Sequence, residues 1–390
     1  MIYALKRAQF LDMGSVTDIA EMAPSPPTAY AKFLPADSPV QYLDVDGRLT
    51  GCTARYPRPS DERLVHMYRN MVLGRRFDQQ ATALSKQGRV AVYPSSRGQE
   101  ACQIAAAMSL RSTDWMFPTY RDSVAVHARG VEAAEVLRSF AGDWHSCYDP
   151  AVHRTAPQAT PLATQLLHAT GLAYAESRRG HDKIALALCG DGSTSEGDFH
   201  EALNFAAVFK APVVFLVQNN GFAISVPTER QTAAPSLALK GIGYGLGSEL
   251  VDGNDPVGML AVMDEAAVFV RAGNGPVIVE ARTYRLEAHT NADDASRYRD
   301  PADVQRWVER DPIARLEKYL RANGLLDDAA FESFNDEAET AAAALREAAN
   351  AVRTTDPLEL FAHVFAQPTP QLREQRAQLE AELAMQAEVS

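Results

Sequence analysis

The chain has 390 residues, 46% of them hydrophobic, and a formal net charge of −12. That length suits one large α/β domain with appendages, or two modest domains. The acidic balance argues against nucleic acid as the main partner, since phosphate backbones select a basic surface, and no apolar run is long enough to span a bilayer.

Residues 1–55 are rich in Pro, Ala and Ser and read as an irregular N-terminal extension draped over a partner. The opening MIYALKRAQFLDMG has basic residues but no apolar signal core or cleavage site, which predicts a cytoplasmic protein. The four cysteines, Cys52, Cys102, Cys147 and Cys189, form no CxxC pair, and no His stands at zinc-ligand spacing. They read as inert, mostly buried thiols.

From Ser60 the pattern turns helical. Ser60 can cap a helix whose Leu64, Met67, Tyr68, Met71 and Val72 recur at helical spacing. A second helix starts near Gln99 and carries Ile104, Ala105 and Met108. Strand-like runs follow at 184–188, 213–217, 249–251 and 277–281, separated by helical patterns at 199–209, 237–244 and 257–272. This alternation predicts an α/β class with parallel strands and right-handed crossovers. The strands are continuously apolar, as in a doubly wound sheet covered by helices on both faces. After Asp300 the chain reads as helical: Ile313, Leu316 and Leu320 with a stop at Gly324, then an Ala-Glu helix at 331–353 and a terminal helix at 371–386. The expected division is an extension at 1–55, an α/β domain at 56–300 and a helical C-terminal region at 301–390 that packs on the core or on a partner.

Two polar clusters sit just past adjacent strand-like runs. They are Gly190-Asp191-Gly192 and Asn219-Asn220. Open parallel sheets bind ligands outside the carboxyl ends of their strands, so Asp191 and Asn220 could meet there. Asp191 offers a carboxylate and Asn220 an amide oxygen, and the backbone carbonyl of Phe222 could supply a third oxygen. That donor set suits Mg2+ bridged to phosphate. Gly190 and Gly192 would let backbone N–H groups approach an anion closely.

GDG closed by NN resembles the signature of thiamine-diphosphate enzymes. RGQEA at 97–101, FPTYRD at 117–122, PLATQ at 161–165, GDGSTSEGDFHEALNFAAVF at 190–209, VDGND at 251–255 and TYRLEAHTNADDASRYR at 283–299 occur in order. Together they resemble the alpha subunits of branched-chain 2-oxo acid dehydrogenase decarboxylase components, over roughly residues 50–325. QLREQRAQLEAEL near the end is similar as well. A lone GDG is a weak signal; six motifs in register are a specific one.

The resemblance implies a thiamine-diphosphate-binding fold with Mg2+ on Asp191, Asn220 and the Phe222 carbonyl. It implies diphosphate contacts from Gly190, Gly192, Ser193, Tyr120, Arg121 and Arg285, the arginines offering planar, bidentate donors. Thr160 and Leu162 match residues that touch the cofactor, and Thr164 and Gln165 match a K+ site found in some relatives. Gln218 stands where relatives often carry Arg, so a charge toward phosphate is missing. His289 matches the catalytic residue over the thiazolium ring, which stabilises the intermediate or serves in transfer to the lipoyl group. Glu287 and Ala288 replace the family's usual Gly and His or Pro, which alters loop flexibility or local charge. Thr290 lies where some relatives have a phosphorylated Ser. The charged loop at 286–300 has no apolar periodicity and is expected to order over bound cofactor.

The same resemblance implies partners. The glutamate that activates the cofactor would come from a beta subunit in an α2β2 assembly, and the acyl group would pass to a lipoyl-bearing dihydrolipoyl acyltransferase. The substrate would be a 2-oxo acid. A pyruvate or acetoin dehydrogenase alpha subunit shares this machinery, and a non-catalytic assembly subunit could share the fold. Asp293-Asp294 with Tyr298-Arg299 look more like the branched-chain group, and intact Asp191, Asn220 and His289 argue against a non-catalytic role.

Overall fold

Continuous apolar strands build a parallel sheet, described here from a computed structural model covering residues 32–50, 55–142, 148–351 and 356–389. The expectations for residues 1–31, Cys52 and Cys147 lie outside the described residues. The strands are β1 (Trp115–Phe117), β2 (Ala185–Gly190), β3 (Val213–Asn219), β4 (Phe222–Ala223), β5 (Val226–Pro227), β6 (Gly247–Asp252) and β7 (Val277–Arg282). Five of them form one sheet in the order β1-β2-β3-β7-β6, every pair parallel. β4 and β5 make a small antiparallel hairpin directly after β3. The predicted strands are all present, one to three residues longer. β1 was not predicted, because three residues are too few to show a period.

Among the described residues there are thirteen α-helices: α1 (Asp61–Lys86), α2 (Glu100–Met108), α3 (Ser123–Ala128), α4 (Ala133–Arg138), α5 (Pro150–His153), α6 (Thr164–Arg178), α7 (Gly197–Phe209), α8 (Ala238–Tyr244), α9 (Pro256–Arg271), α10 (Pro301–Val308), α11 (Pro312–Ala322), α12 (Asp328–Asn350) and α13 (Pro370–Val389). Ser60 caps α1 as expected, its Oγ accepting from the Arg63 N–H. Strand alternation sorts the core into two halves. Leu186, Leu188, Val214, Leu216, Val277 and Val279 share one apolar cluster with α1, α2, α9, α11 and α12, of which α9 packs on the strands. Ala185, Ala187, Cys189, Val213, Phe215 and Val217 face α6, α7 and α8. The sheet is therefore doubly wound, and the C-terminal helices α11 and α12 pack on α1. Cys102 and Cys189 are free and buried, and burial pushes both thiols up, away from reactivity.

The described part of the N-terminal extension is irregular but built into the core. Phe33 is fully buried and stacks on Tyr56. Ser248 N–H donates to the Phe33 carbonyl, Val40 N–H to Leu250 O and Asp252 N–H to Val40 O, at 2.8, 2.8 and 3.0 Å. This segment covers the free edge of β6. The segment after α5 covers β1 in the same manner, through Met116 N–H to Arg154 O and Ala156 N–H to Met116 O. Buried Arg315 of α11 fastens the N-terminal segment by donating to the Leu43 and Asp44 carbonyls while pairing with Asp252.

Gly98 sets the distance between the RGQEA turn and the end of β7. Its φ is +97°, and a Cβ there would lie 2.3 Å from the Tyr284 carbonyl oxygen. Gly98→Ala is expected to lower stability by about 2–3 kcal/mol, read by chemical denaturation, through backbone strain and overpacking.

Candidate active site

Four parallel strands end at one cavity of about 510 Å³. Gly190 pairs with Gln218 across β2 and β3, so the residues that follow, Asp191 and Asn220, emerge at the same level. The loop after β1 brings Tyr120 and Arg121, and the chain after β7 brings Arg285 and His289. Thr160, Leu162, Gly190, Gly192, Ser193, Gln218 and Phe222 also line the cavity. Thr164 and Gln165 are not among its lining. Gln165 is buried at the start of α6, where its Nε2 donates to Leu188 O at 2.8 Å and its Oε1 has no partner.

One side of the cavity presents oxygen. Asp191 is 1% exposed, and burial holds its carboxyl above the ordinary range. Gln231 Nε2 donates to it at 2.8 Å and the Asn220 backbone N–H also donates, but neither brings a charge. Asn220 Oδ1 accepts from the Phe222 N–H at 3.2 Å and keeps a second lone pair. One carboxylate plus neutral oxygens is the protein share of a Mg2+ site whose other ligands are phosphate and water. Among the described residues there is no cluster of three or more His, Cys, Asp or Glu that could hold a metal unaided.

The cavity also presents cations. Arg121 donates to Ser95 O at 2.8 Å and to His289 O at 2.9 Å. Arg285 donates to Ile224 O at 3.0 Å and to the Tyr298 hydroxyl at 2.9 Å. Neither guanidinium has a carboxylate as hydrogen-bond partner among the described residues. Burial, then repulsion by Arg121, brings Arg285 down to about 10. The Arg285 Nε and the Ser193 Oγ are buried without partners. A Cβ at Gly190 would meet nothing within 4 Å, so the cavity reaches its backbone. Uncompensated guanidiniums, orphaned donors and bare backbone together fit a polyanion such as a diphosphate.

His289 lies between the two arginines. Its Nδ1 is 3.0 Å from Arg121 Nη2 and 2.8 Å from Arg285 Nη1. A guanidinium has no acceptor, so Nδ1 must carry the lone pair and the neutral ring must hold its proton on Nε2. Burial first, then the two positive charges, lower its pKa to about 4. Tyr120 meets the ring edge-on at 6.0 Å. Asp293 accepts from the His289 backbone N–H at 2.8 Å and from the Tyr298 hydroxyl. The 286–300 loop is thus held by its own residues, and Glu287 pairs with Arg97 at 2.7 Å.

This titration has a sign in stability. Unfolded, the imidazole binds a proton near its ordinary 6.5; folded, near 4. The unfolded chain therefore binds more protons between those values, and stability falls as pH drops from about 6.5 to about 4. Melting temperatures of His289→Gln are expected to fall less steeply over this window than those of the wild type. Equal slopes would count against the buried neutral ring.

A buried amide chain joins Asn220 to Asp122. Asn220 Nδ2 donates to Gln99 Oε1 at 3.2 Å, Gln99 Nε2 to Gln218 Oε1 at 2.9 Å and Gln218 Nε2 to Asp122 Oδ1 at 2.7 Å. Asp122 Oδ2 accepts from the Thr119 N–H at 2.7 Å. Both ends of the Gln218 amide are thus engaged within the protein. Sequence reasoning missed Gln99 and Asp122, although both stand inside motifs, RGQEA and FPTYRD. It also missed Gln158, whose Nε2 donates to Thr119 O at 3.2 Å and for which no motif gave a signal.

Known proteins resemble this chain over most of its length. Residues 68–359 match the family described as Dehydrogenase E1 component. The chain is 47% identical over 347 residues to the 3-methyl-2-oxobutanoate dehydrogenase subunit alpha of Mycobacterium tuberculosis, covering 89% of this chain and 94% of that one. It is 37% identical over 322 residues to the pyruvate dehydrogenase E1 component subunit alpha of Staphylococcus epidermidis and of Staphylococcus aureus, covering 81% of this chain and 86% of each. The chain belongs to the dehydrogenase E1 component family.

Proposed function

We propose that this chain is the alpha subunit of a thiamine-diphosphate-dependent dehydrogenase that decarboxylates branched-chain 2-oxo acids. The observation that carries the reading is one cavity lined by a buried carboxylate, Asp191, and by two guanidiniums, Arg121 and Arg285, without a carboxylate hydrogen-bond partner among the described residues. The higher identity to the 3-methyl-2-oxobutanoate enzyme than to the pyruvate enzymes supports the substrate class.

Thiamine diphosphate, when bound, supplies the nucleophilic carbon and electron sink for decarboxylation. Asp191, Asn220 and the Phe222 carbonyl would hold Mg2+. Arg121, Arg285, Tyr120, Ser193 and the backbone at Gly190 and Gly192 would hold the diphosphate, and Thr160 and Leu162 would flank the cofactor. Gln218 would line its place through the amide chain rather than by charge. The orphaned Gln165 Oε1 supports a K+ site with Thr164 at the start of α6. His289, fixed at Nδ1, keeps an N–H on Nε2 to offer a developing negative charge. Residues 56–300 would form the cofactor-binding unit, with the 301–390 helices supporting it.

The relatives are named as alpha subunits, which supports a beta-subunit partner and, in this reading, an α2β2 assembly that passes its acyl group to a lipoyl-bearing dihydrolipoyl acyltransferase. No helix among the described residues is long and apolar enough to cross a membrane, which fits the proposed cytoplasmic location.

The chain co-expressed with its beta subunit, given thiamine diphosphate and Mg2+, is expected to decarboxylate 3-methyl-2-oxobutanoate and 4-methyl-2-oxopentanoate with a dye acceptor. Either subunit alone should be inactive. Preference for pyruvate would keep the cofactor assignment and overturn the substrate. In the same assembly, thiamine diphosphate with Mg2+ is expected to slow tryptic cleavage at Arg297, which is exposed on the 286–300 loop. Equal cleavage rates would sink the idea that cofactor stabilises this loop.

A further inference from the structure

We infer that Asp122, which lines the same cavity and stands three hydrogen bonds from Asn220, is a positioning residue that sets which end of the Asn220 amide faces Mg2+. The inference rests on the cofactor reading above. It follows from hydrogen-bond polarity along a buried chain. Asp122, Gln218, Gln99 and Asn220 line the cavity yet are each at most 6% exposed, so a mismatched pair among them is costly.

A carboxylate only accepts. Asp122 takes the Thr119 N–H on one oxygen and therefore takes an N–H of Gln218 on the other. Gln218 must then present its oxygen to Gln99. Gln99 must present its own oxygen to Asn220, which donates its NH2. The Asn220 oxygen is left to point away, toward the Phe222 N–H and the metal position. Three amides, each free to flip in isolation, are aligned in one sense by a single carboxylate. An amide whose NH2 faced the metal would offer a donor where a ligand is needed.

The test reverses the polarity without removing bulk. In Asp122→Asn the new amide keeps its oxygen on the Thr119 N–H and turns its NH2 to Gln218. Each amide beyond it must then flip, or one pair is left N–H to N–H, and Asn220 loses its hold. Gln218→Glu on top of Asp122→Asn moves the carboxylate one step along. It accepts from both neighbours and restores the original sense from Gln99 onward.

Mn2+ binding is measured by EPR titration of the assembled protein in the presence of thiamine diphosphate. Asp122→Asn is expected to bind Mn2+ about ten- to a hundredfold more weakly, the range for outer partners of metal ligands. The double variant is expected to return close to wild type, which loss of a merely structural contact would not produce. Wild-type affinity in the single variant, or no recovery in the double, overturns the relay. Should Asp122→Asn fail to assemble, Gln99→Met cuts the chain beside Asn220 and leaves the Asp122 to Thr119 contact intact. It is expected to show the same weakening, and unchanged affinity overturns the relay. A wild-type protein that binds no Mn2+ with thiamine diphosphate overturns the cofactor reading and the relay with it.

Discussion

Asp191→Asn is expected to cost the assembled enzyme about a thousandfold in kcat/KM, equivalent to roughly 4 kcal/mol of transition-state stabilisation. Asp191 brings a carboxylate beside Asn220, and its hydrogen bonds come from neutral groups. Burial already raises its pKa, so the fold holds this charge at a cost that a cation relieves. Asparagine keeps the shape and removes the charge. The cofactor-free melting temperature should therefore stay within a few degrees of wild type, while the stabilisation conferred by thiamine diphosphate with Mg2+ disappears. Differential scanning fluorimetry with and without both ligands separates these effects. Unchanged stabilisation would show that the metal is held elsewhere.

His289→Ala is the second large effect, expected to lower kcat by between about a hundredfold and ten-thousandfold. The ring is held on Nδ1 by both arginines and through its backbone by Asp293. Such preorganisation lets Nε2–H meet charge without reorganising at the moment of reaction. Cofactor affinity should change little, because Arg121 and Arg285 remain. A variant that instead loses cofactor affinity and keeps kcat would make His289 a spacer between the arginines. Anion binding should also offset the positive charges that depress the ring, moving its pKa up from about 4 toward the ordinary range. NMR of labelled histidine reads that shift directly.

The meeting of Asp191 with Asn220 at one cavity was legible in sequence because its parts are local. GDG and NN each follow an apolar run, and parallel pairing of those runs brings them level. The arginines were legible only through motif resemblance; nothing in FPTYRD or TYR alone says that two arginines share one imidazole. Gln218 read as a missing charge, since sequence shows the substitution but not that both amide ends are engaged. Glu287 likewise read as a stray charge, because its partner Arg97 lies in a separate motif far back in the chain. Phe33 and Val40 were assigned to a draped extension on composition alone. Proline-rich chain is irregular, but irregular chain can still close a sheet edge, and that depends on contacts with β6 that no local pattern encodes.

The covering of β6 by Val40 and of β1 by residues 154–156 leaves the parallel sheet without a free row of backbone donors and acceptors on either side. A second chain cannot join by adding a strand, and neither can a misfolded copy of the same chain. Assembly with another subunit must proceed through side chains on helices and loops, where sequence can specify the partner. A protein proposed to work within a larger complex is thereby protected against the least selective mode of association open to a β-sheet.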